Sequence, residues 1–134
     1  MDGVQIEIRD TRDIIAARSA GRDMARDRGF GSADQTRLAT AISELTRNVI
    51  QYAGNGFCTL SDRSNERDII VHVVVEDSGP GIEDLAQAME FGFSTSKGLG
   101  AGLPGTKRLV SSFEIESVPG HTVATIELTK RKII

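Results

Sequence analysis

A chain with one cysteine cannot close an internal disulfide, and this one has only Cys58. That residue stands in an apolar stretch, so it reads as a small buried side chain and not as a reactive thiol; a reducing cytoplasm is the expected compartment. No apolar run approaches the roughly 20 residues that a membrane span needs. Residues 1–10 carry acids where a signal peptide would have its apolar core. Basic charge is not in excess either: the formal net charge is −3, which argues against a nucleic-acid footprint. The two histidines, His72 and His121, do not stand at metal-ligand spacing, and no Ser/His/Asp triad suggests itself. Linkers, internal repeats and low-complexity segments are missing. What remains is 134 residues, 39% hydrophobic and 26% charged, expected to form one domain over 1–134 with one core.

The periodicities predict the elements. Val4, Ile6 and Ile8 alternate with polar residues, as in a strand. Residues 11–28 read as a helix, with Gly29 suited to the left-handed position after it. Arg18, Arg22 and Arg26 recur every four residues on that helix; they form either a solvated face balanced by Asp13, Asp23 and Asp27 or a docking face for a protein. Ser32 with Gln35 has the spacing of a capping box. The helix that follows carries Leu38, Ile42, Leu45, Val49 and Tyr52 as one apolar stripe, ended by Gly54-Asn55-Gly56. Residues 57–61 and the β-branched run 68–76 are predicted strands around a polar turn. A short helix is expected over 84–91. Pro104 suits the first turn of a third long helix ending near Ser112. Residues 113–118 and 122–128 close the chain as two strands joined by Pro119-Gly120-His121. Adjacent strand pairs imply antiparallel pairing, with helices gathered on one face: an α+β two-layer sandwich.

Three clusters carry chemistry. Glu44 and Asn48 are four apart on the second helix, on one face offset from its apolar stripe. A carboxylate with a carboxamide can hold a hydrated Mg²⁺ and orient an attacking hydroxyl, although such a pair is also ordinary on a solvated helix. Asp77-Ser78-Gly79-Pro80-Gly81 directly follows the β-branched strand. Asp77 is thus delivered to a strand end, where its carboxylate can accept a hydrogen bond from an exocyclic amino group such as that of adenine. The third cluster is Lys97-Gly98-Leu99-Gly100-Ala101-Gly102-Leu103-Pro104-Gly105, leading into a helix. Its glycines free backbone N–H groups for phosphate oxygens, the helix N-terminus adds partial positive charge, and Lys97 adds a cation.

The last cluster contains Gly-x-Gly-x-x-Gly at Gly100, Gly102 and Gly105, yet no buried parallel strand precedes it and too little chain follows to complete a dinucleotide fold. A Walker loop is excluded because no Gly-Lys-Ser/Thr follows. A eukaryotic-type kinase is excluded by length and by the missing His-Arg-Asp loop.

In this order and at these separations the clusters resemble the boxes of the GHKL superfamily of ATPases and kinases. Glu44 to Asn48 resembles its N box, Asp77-x-Gly79-x-Gly81 its first glycine box, and Gly98-x-Gly100-x-Gly102 its second. Ala41-Ile-Ser-Glu-Leu-Thr-Arg-Asn48, Tyr52-Ala-Gly54 and Phe93-Ser-Thr-Ser-Lys-Gly-Leu-Gly-Ala-Gly-Leu-Pro-Gly105 are similar, within it, to the RsbT type of serine/threonine kinase of bacterial stressosomes, over nearly the whole chain. The resemblance implies a Bergerat ATP-binding fold, with a mixed sheet backed by helices, and Mg²⁺ with ATP. It implies a serine or threonine target on a STAS-domain protein and, after release from the stressosome, activation of a PP2C-type phosphatase. It makes Glu44 the general base, Asn48 the Mg²⁺ ligand and Asp77 the adenine-reading carboxylate. Gly79 and Gly81 would shape the adenine pocket, and Lys97, Gly98, Gly100 and Gly102 would surround the phosphates. The family often has Gly-x-Gly-Thr before its last strand, the Thr assisting at adenine; Gly120-His121-Thr122 is one residue shorter, with Thr122 in the corresponding place. Two other readings stay open: an ATP-hydrolysing conformational switch, and a binding module that uses ATP only for shape.

Overall fold

The computed structural model describes residues 3–81 and 102–133. Strand β1 (Val4–Ile8) is followed by α1 (Thr11–Asp27), α2 (Ser32–Tyr52), β2 (Gly56–Asp62), β3 (Asp68–Asp77), α3 (Gly102–Leu109), β4 (Ser112–Val118) and β5 (His121–Arg131). The five strands form one sheet in the order β1-β2-β3-β5-β4. All four pairings are antiparallel, joined both by hairpins and by crossovers through the helices. Alternation decides which face is covered. Ile8, Cys58, Leu60, Val71, Val73, Val75, Ala124, Ile126 and Leu128 point inward and are buried against Ala17, Met24, Leu38, Ile42, Leu45 and Val49 of the helices. The helices lie on that one face, so the expected α+β two-layer sandwich forms.

Helix boundaries follow local hydrogen bonding. At the start of α1, Asp10 Oδ1 accepts from Arg12 N at 2.9 Å and Asp13 Oδ2 accepts from Asp10 N at 3.2 Å, a reciprocal cap made of two aspartates. At its end Gly29 takes φ +86°, Gly29 N donates to Arg26 O and Phe30 N to Ala25 O. This left-handed stop lets Phe30 fold back into the core.

Three expectations are corrected. Ser32 is not the N-cap of α2: Gly31 is, with no side-chain cap, and Gln35 Nε2 donates to Phe30 O at 2.8 Å instead of reaching Ser32. The Gly29 turn brings the chain into helical register one residue early. Tyr52 does not complete the buried stripe of α2 but stands 41% exposed at its end. The third helix is one of 8 residues and stops at Leu109. Beyond it the chain is claimed by β5, with Ser111 N donating to Glu127 O and Ser111 Oγ accepting from Thr129 N, each at 2.9 Å. The helix expected over 84–91, and Lys97, Gly98 and Gly100, lie outside the described residues. No described helix is long and apolar enough to cross a membrane.

Candidate functional site

The inner face of the sheet changes character at one end. Across β2, β3, β5 and β4 its rows read Leu60–Val73–Ile126–Phe113, then Cys58–Val75–Ala124–Ile115, then Gly56–Asp77–Thr122–Ser117. The first two rows are core. The third has the same parity but is polar, so the alternation that buries Val73 and Val75 also turns Asp77 toward the helices. Gly56, opposite Asp77, leaves room there: a Cβ on it would run into the Glu76 carbonyl and Val49.

Above this polar row the end of α2 forms a roof, and a cleft opens between them. Asn48, Asp77, Gly81 and Thr122 share it with Leu45, Val49, Tyr52, Val75, Pro80, Leu103, Ile115 and Ala124. Apolar walls with a few convergent polar groups are the usual build of a small-molecule site. Asp77 Oδ1 accepts from Gly79 N at 2.9 Å. Burial pushes the Asp77 carboxyl above its ordinary range, opposed by that N–H and by His121. The other oxygen, Oδ2, has no protein partner among the described residues and can accept from a bound amino group. Thr122 pairs with Asp77 across the strands, and its Oγ1 lies 2.7 Å from Ser117 Oγ. The shortened Gly120-His121-Thr122 therefore still brings its threonine to the cleft.

The two glycines of the first box are forced by close approaches. A Cβ on Gly79 would strike Ala53 at the end of α2, and Gly81 holds φ +89° against the Val118 carbonyl. Gly120 N donates to Gly79 O at 2.8 Å, tying the β4–β5 turn to this loop. Leu103, in the first turn of α3, closes the cleft on another side; Gly102 is the first residue of that helix.

Glu44 is not among the residues lining the cleft. It lies one turn before Asn48 on α2, with its side chain 16% exposed, and Oε1 accepts from Arg47 Nη1 at 2.8 Å. Sequence reasoning passed over Arg47, Ser117 and the walls supplied by Pro80 and Ile115. An i,i+3 count from Glu44 would have found Arg47; the Ser117–Thr122 contact depends on β4–β5 register, which no spacing gives. Among the described residues no group of three or more His, Cys, Asp or Glu could hold a metal.

Residues 33–132 match the family model described as histidine kinase-, DNA gyrase B- and HSP90-like ATPase. The serine/threonine-protein kinase RsbT of Bacillus subtilis (strain 168) is 50% identical over 109 residues, covering 81% of this chain and 82% of that protein. The chain belongs to the GHKL family, among its RsbT-like serine/threonine kinases. The GHKL architecture is also seen in solved structures too distant to show more than the fold. The RsbU and RsbW domains of Rv1364c from Mycobacterium tuberculosis superpose with a TM-score of 0.68 at 17% identity, over 97% of this chain and 33% of that one. The mycobacterial sensor histidine kinase MprB gives 0.57 at 19% identity, over 97% and 100%. Of the residues whose spacing resembles the GHKL boxes, Asn48, Asp77 and Gly81 meet at one cleft, and Glu44 stands one turn before Asn48 on α2.

Proposed function

We propose that this RsbT-like kinase transfers the γ-phosphoryl group of ATP to a serine or threonine of a STAS-domain protein in a bacterial stressosome, and that after release it binds and activates a PP2C-type phosphatase. The relationship to RsbT, 50% identical over most of both chains, carries this reading. The meeting of Asn48, Asp77 and Thr122 in one largely apolar cleft supports it.

In this reading adenine enters the cleft and its amino group donates to Asp77 Oδ2, with the Thr122 hydroxyl alongside. Gly79 and Gly81 allow the close packing of loop and helix that shapes the pocket. The phosphates extend toward the N-terminus of α3, where Gly102 begins the helix and where Lys97, Gly98 and Gly100 precede it in sequence. Mg²⁺ keeps several waters and takes one or two protein oxygens besides phosphate, so a lone carboxamide at Asn48 fits it without an acidic cluster. When bound, the ion supplies charge neutralisation between the phosphates. Glu44 accepts the proton of the target hydroxyl as that oxygen bonds to the γ-phosphorus and the bridging P–O bond to ADP breaks.

Incubation with labelled Mg-ATP and STAS-domain proteins tests the reading. The parent transfers label to a serine or threonine. Glu44→Gln binds Mg-ATP at least as well but transfers about a hundredfold more slowly or worse, in line with general-base contributions. Asn48→Ala loses Mg²⁺-dependent nucleotide binding as well. Near-parental transfer by Glu44→Gln removes the general-base role. A parent that hydrolyses ATP without labelling any partner is an ATPase switch, and one that only binds it is a binding module.

A further inference from the structure

Arg47 and Glu44 form an ion pair that differs from its neighbour on the same helix. Arg37 and Asp34 also stand at i,i+3 and 2.8 Å, but both side chains are about half exposed, 52% and 42%. In the Glu44 pair the arginine is exposed to a similar degree, 42%, while the carboxylate is largely covered, 16%. A covered carboxylate costs desolvation unless something compensates it, and among the described residues Arg47 alone does so. The contact uses Oε1, leaving Oε2 to receive a proton. Asn48, adjacent to Arg47, faces the cleft.

We infer that Arg47 is a positioning residue that lets Glu44 stand beside the terminal phosphate of ATP. The inference rests on the proposed placement of Glu44 at the reaction centre. A lone carboxylate there repels the γ-phosphate. Paired with a guanidinium, it presents a nearly neutral unit to the nucleotide and keeps one fixed orientation for the target hydroxyl. Arg47 need not touch the phosphate: it acts through Glu44. The N box of this chain thus contains a base, its charge partner and a metal ligand within five consecutive residues, Glu44 to Asn48.

Calorimetry with Mg²⁺ and a non-hydrolysable ATP analogue tests this, with ADP as the second probe. Arg47→Ala is expected to weaken analogue binding about three- to tenfold, at the lower end of the coupling seen between neighbouring groups, and to leave ADP binding within about twofold of parent. In a Glu44→Gln background the same substitution is expected to have no effect on the analogue, because the charge to be offset is gone. Arg47→Lys restores most of the affinity. Arg37→Ala, which breaks an ordinary helix pair, changes neither affinity, and thermal melts confirm that each variant is folded. Equal weakening by Arg47→Ala in both backgrounds, equal weakening toward ADP and the analogue, or no weakening at all would each overturn the inference. Phosphoryl transfer by Glu44→Gln alone reports separately on the base assignment, so failure of that reading is distinct from failure of this one.

Discussion

Asp77 shows how a core pattern yields a candidate site residue. The parity of Val71, Val73 and Val75 continues one step to a carboxylate, and burial holds its proton affinity above normal. A carboxyl whose folded pKa is raised binds protons more readily folded than unfolded, so its contribution to stability falls as pH rises from below the ordinary carboxylate value through the raised one. At neutral pH the unliganded protein therefore carries a cost at this position. Asp77→Asn keeps an oxygen for Gly79 N and removes the charge. It is expected to melt at or above the parental temperature at pH 7 without nucleotide, with a smaller gain toward acid. In the proposed function a charge-assisted bond from adenine to Asp77 would be worth about 1.5–3 kcal/mol, so the same variant is expected to bind ATP tenfold or more weakly and to discriminate less against GTP. Calorimetry beside melting curves checks both; unchanged ATP affinity removes Asp77 from the pocket. Cys58 is the opposite case: burial alone pushes its thiol up to about 12, consistent with an inert core residue.

Among the elements, α1 is fastened at both ends, and its C-terminal tie reaches the β2–β3 turn. Arg28 Nε donates to Asp62 Oδ2 at 2.8 Å while Asp62 Oδ1 accepts from Ser64 N at 2.8 Å. These contacts, Ser64 first and Arg28 after it, bring the Asp62 carboxyl down to about 2. A depressed carboxylate stabilises above its unfolded pKa and loses that contribution as pH falls toward the folded one. Asp62→Ala is expected to cost about 1–2 kcal/mol in urea unfolding at pH 5–7, most of it from stranding the turn N–H and the guanidinium. The gap between parent and variant should close between about pH 4 and pH 2; a gap independent of pH in that window would show that the loss is packing alone. Nothing in the spacing announced this tie, since its partners are 34 residues apart. The strands themselves were legible because alternation is local: Val4-Ile6-Ile8 and the β-branched run of β3 state their own face. The roof of the site was equally legible, Leu38 to Val49 repeating at helical spacing. The start of α2 was misread because a capping motif competes with the preceding turn, and the Gly29 stop won. Arg47 lay within reach of an i,i+3 count, but the cover over Glu44 that sets its pair apart is tertiary, and Ser117 was missed because its contact depends on β4–β5 register.

At the scale of the whole molecule, α2 lies between the cleft and the outer face of α1. The helix α1 packs on α2 and on the β1–β2 side, while α3 packs on α2 from the cleft side. The outer face of α1 presents Ile15, 48% exposed, in line with Arg18 and Arg22. The acids able to balance that face are committed elsewhere: Asp13 caps the helix, and Asp23 and Asp27 both pair with Arg26. Arg18 and Arg22 have no ion-pair partner among the described residues, so two of the three arginines stand exposed on a solvated face without the balancing acids expected for them. An apolar side chain flanked by unpaired guanidinium groups suits an acidic protein surface, where opposite charge speeds encounter and sets register. If phosphatase activation needs a surface and phosphoryl transfer needs the cleft, the two roles separate. Arg18→Glu with Arg22→Glu is expected to leave Mg-ATP binding and the thermal midpoint near parental values, because both side chains are exposed and pair with no acid among the described residues. The same double variant is expected to raise the kinase concentration for half-maximal activation of the PP2C-type phosphatase about tenfold or more, with a weaker salt dependence than the parent. Glu44→Gln is expected to do the converse, activating normally while failing to transfer phosphate. Full activation by the folded double variant would discard this face, and parallel loss of ATP binding would show that α1 and the cleft are not independent.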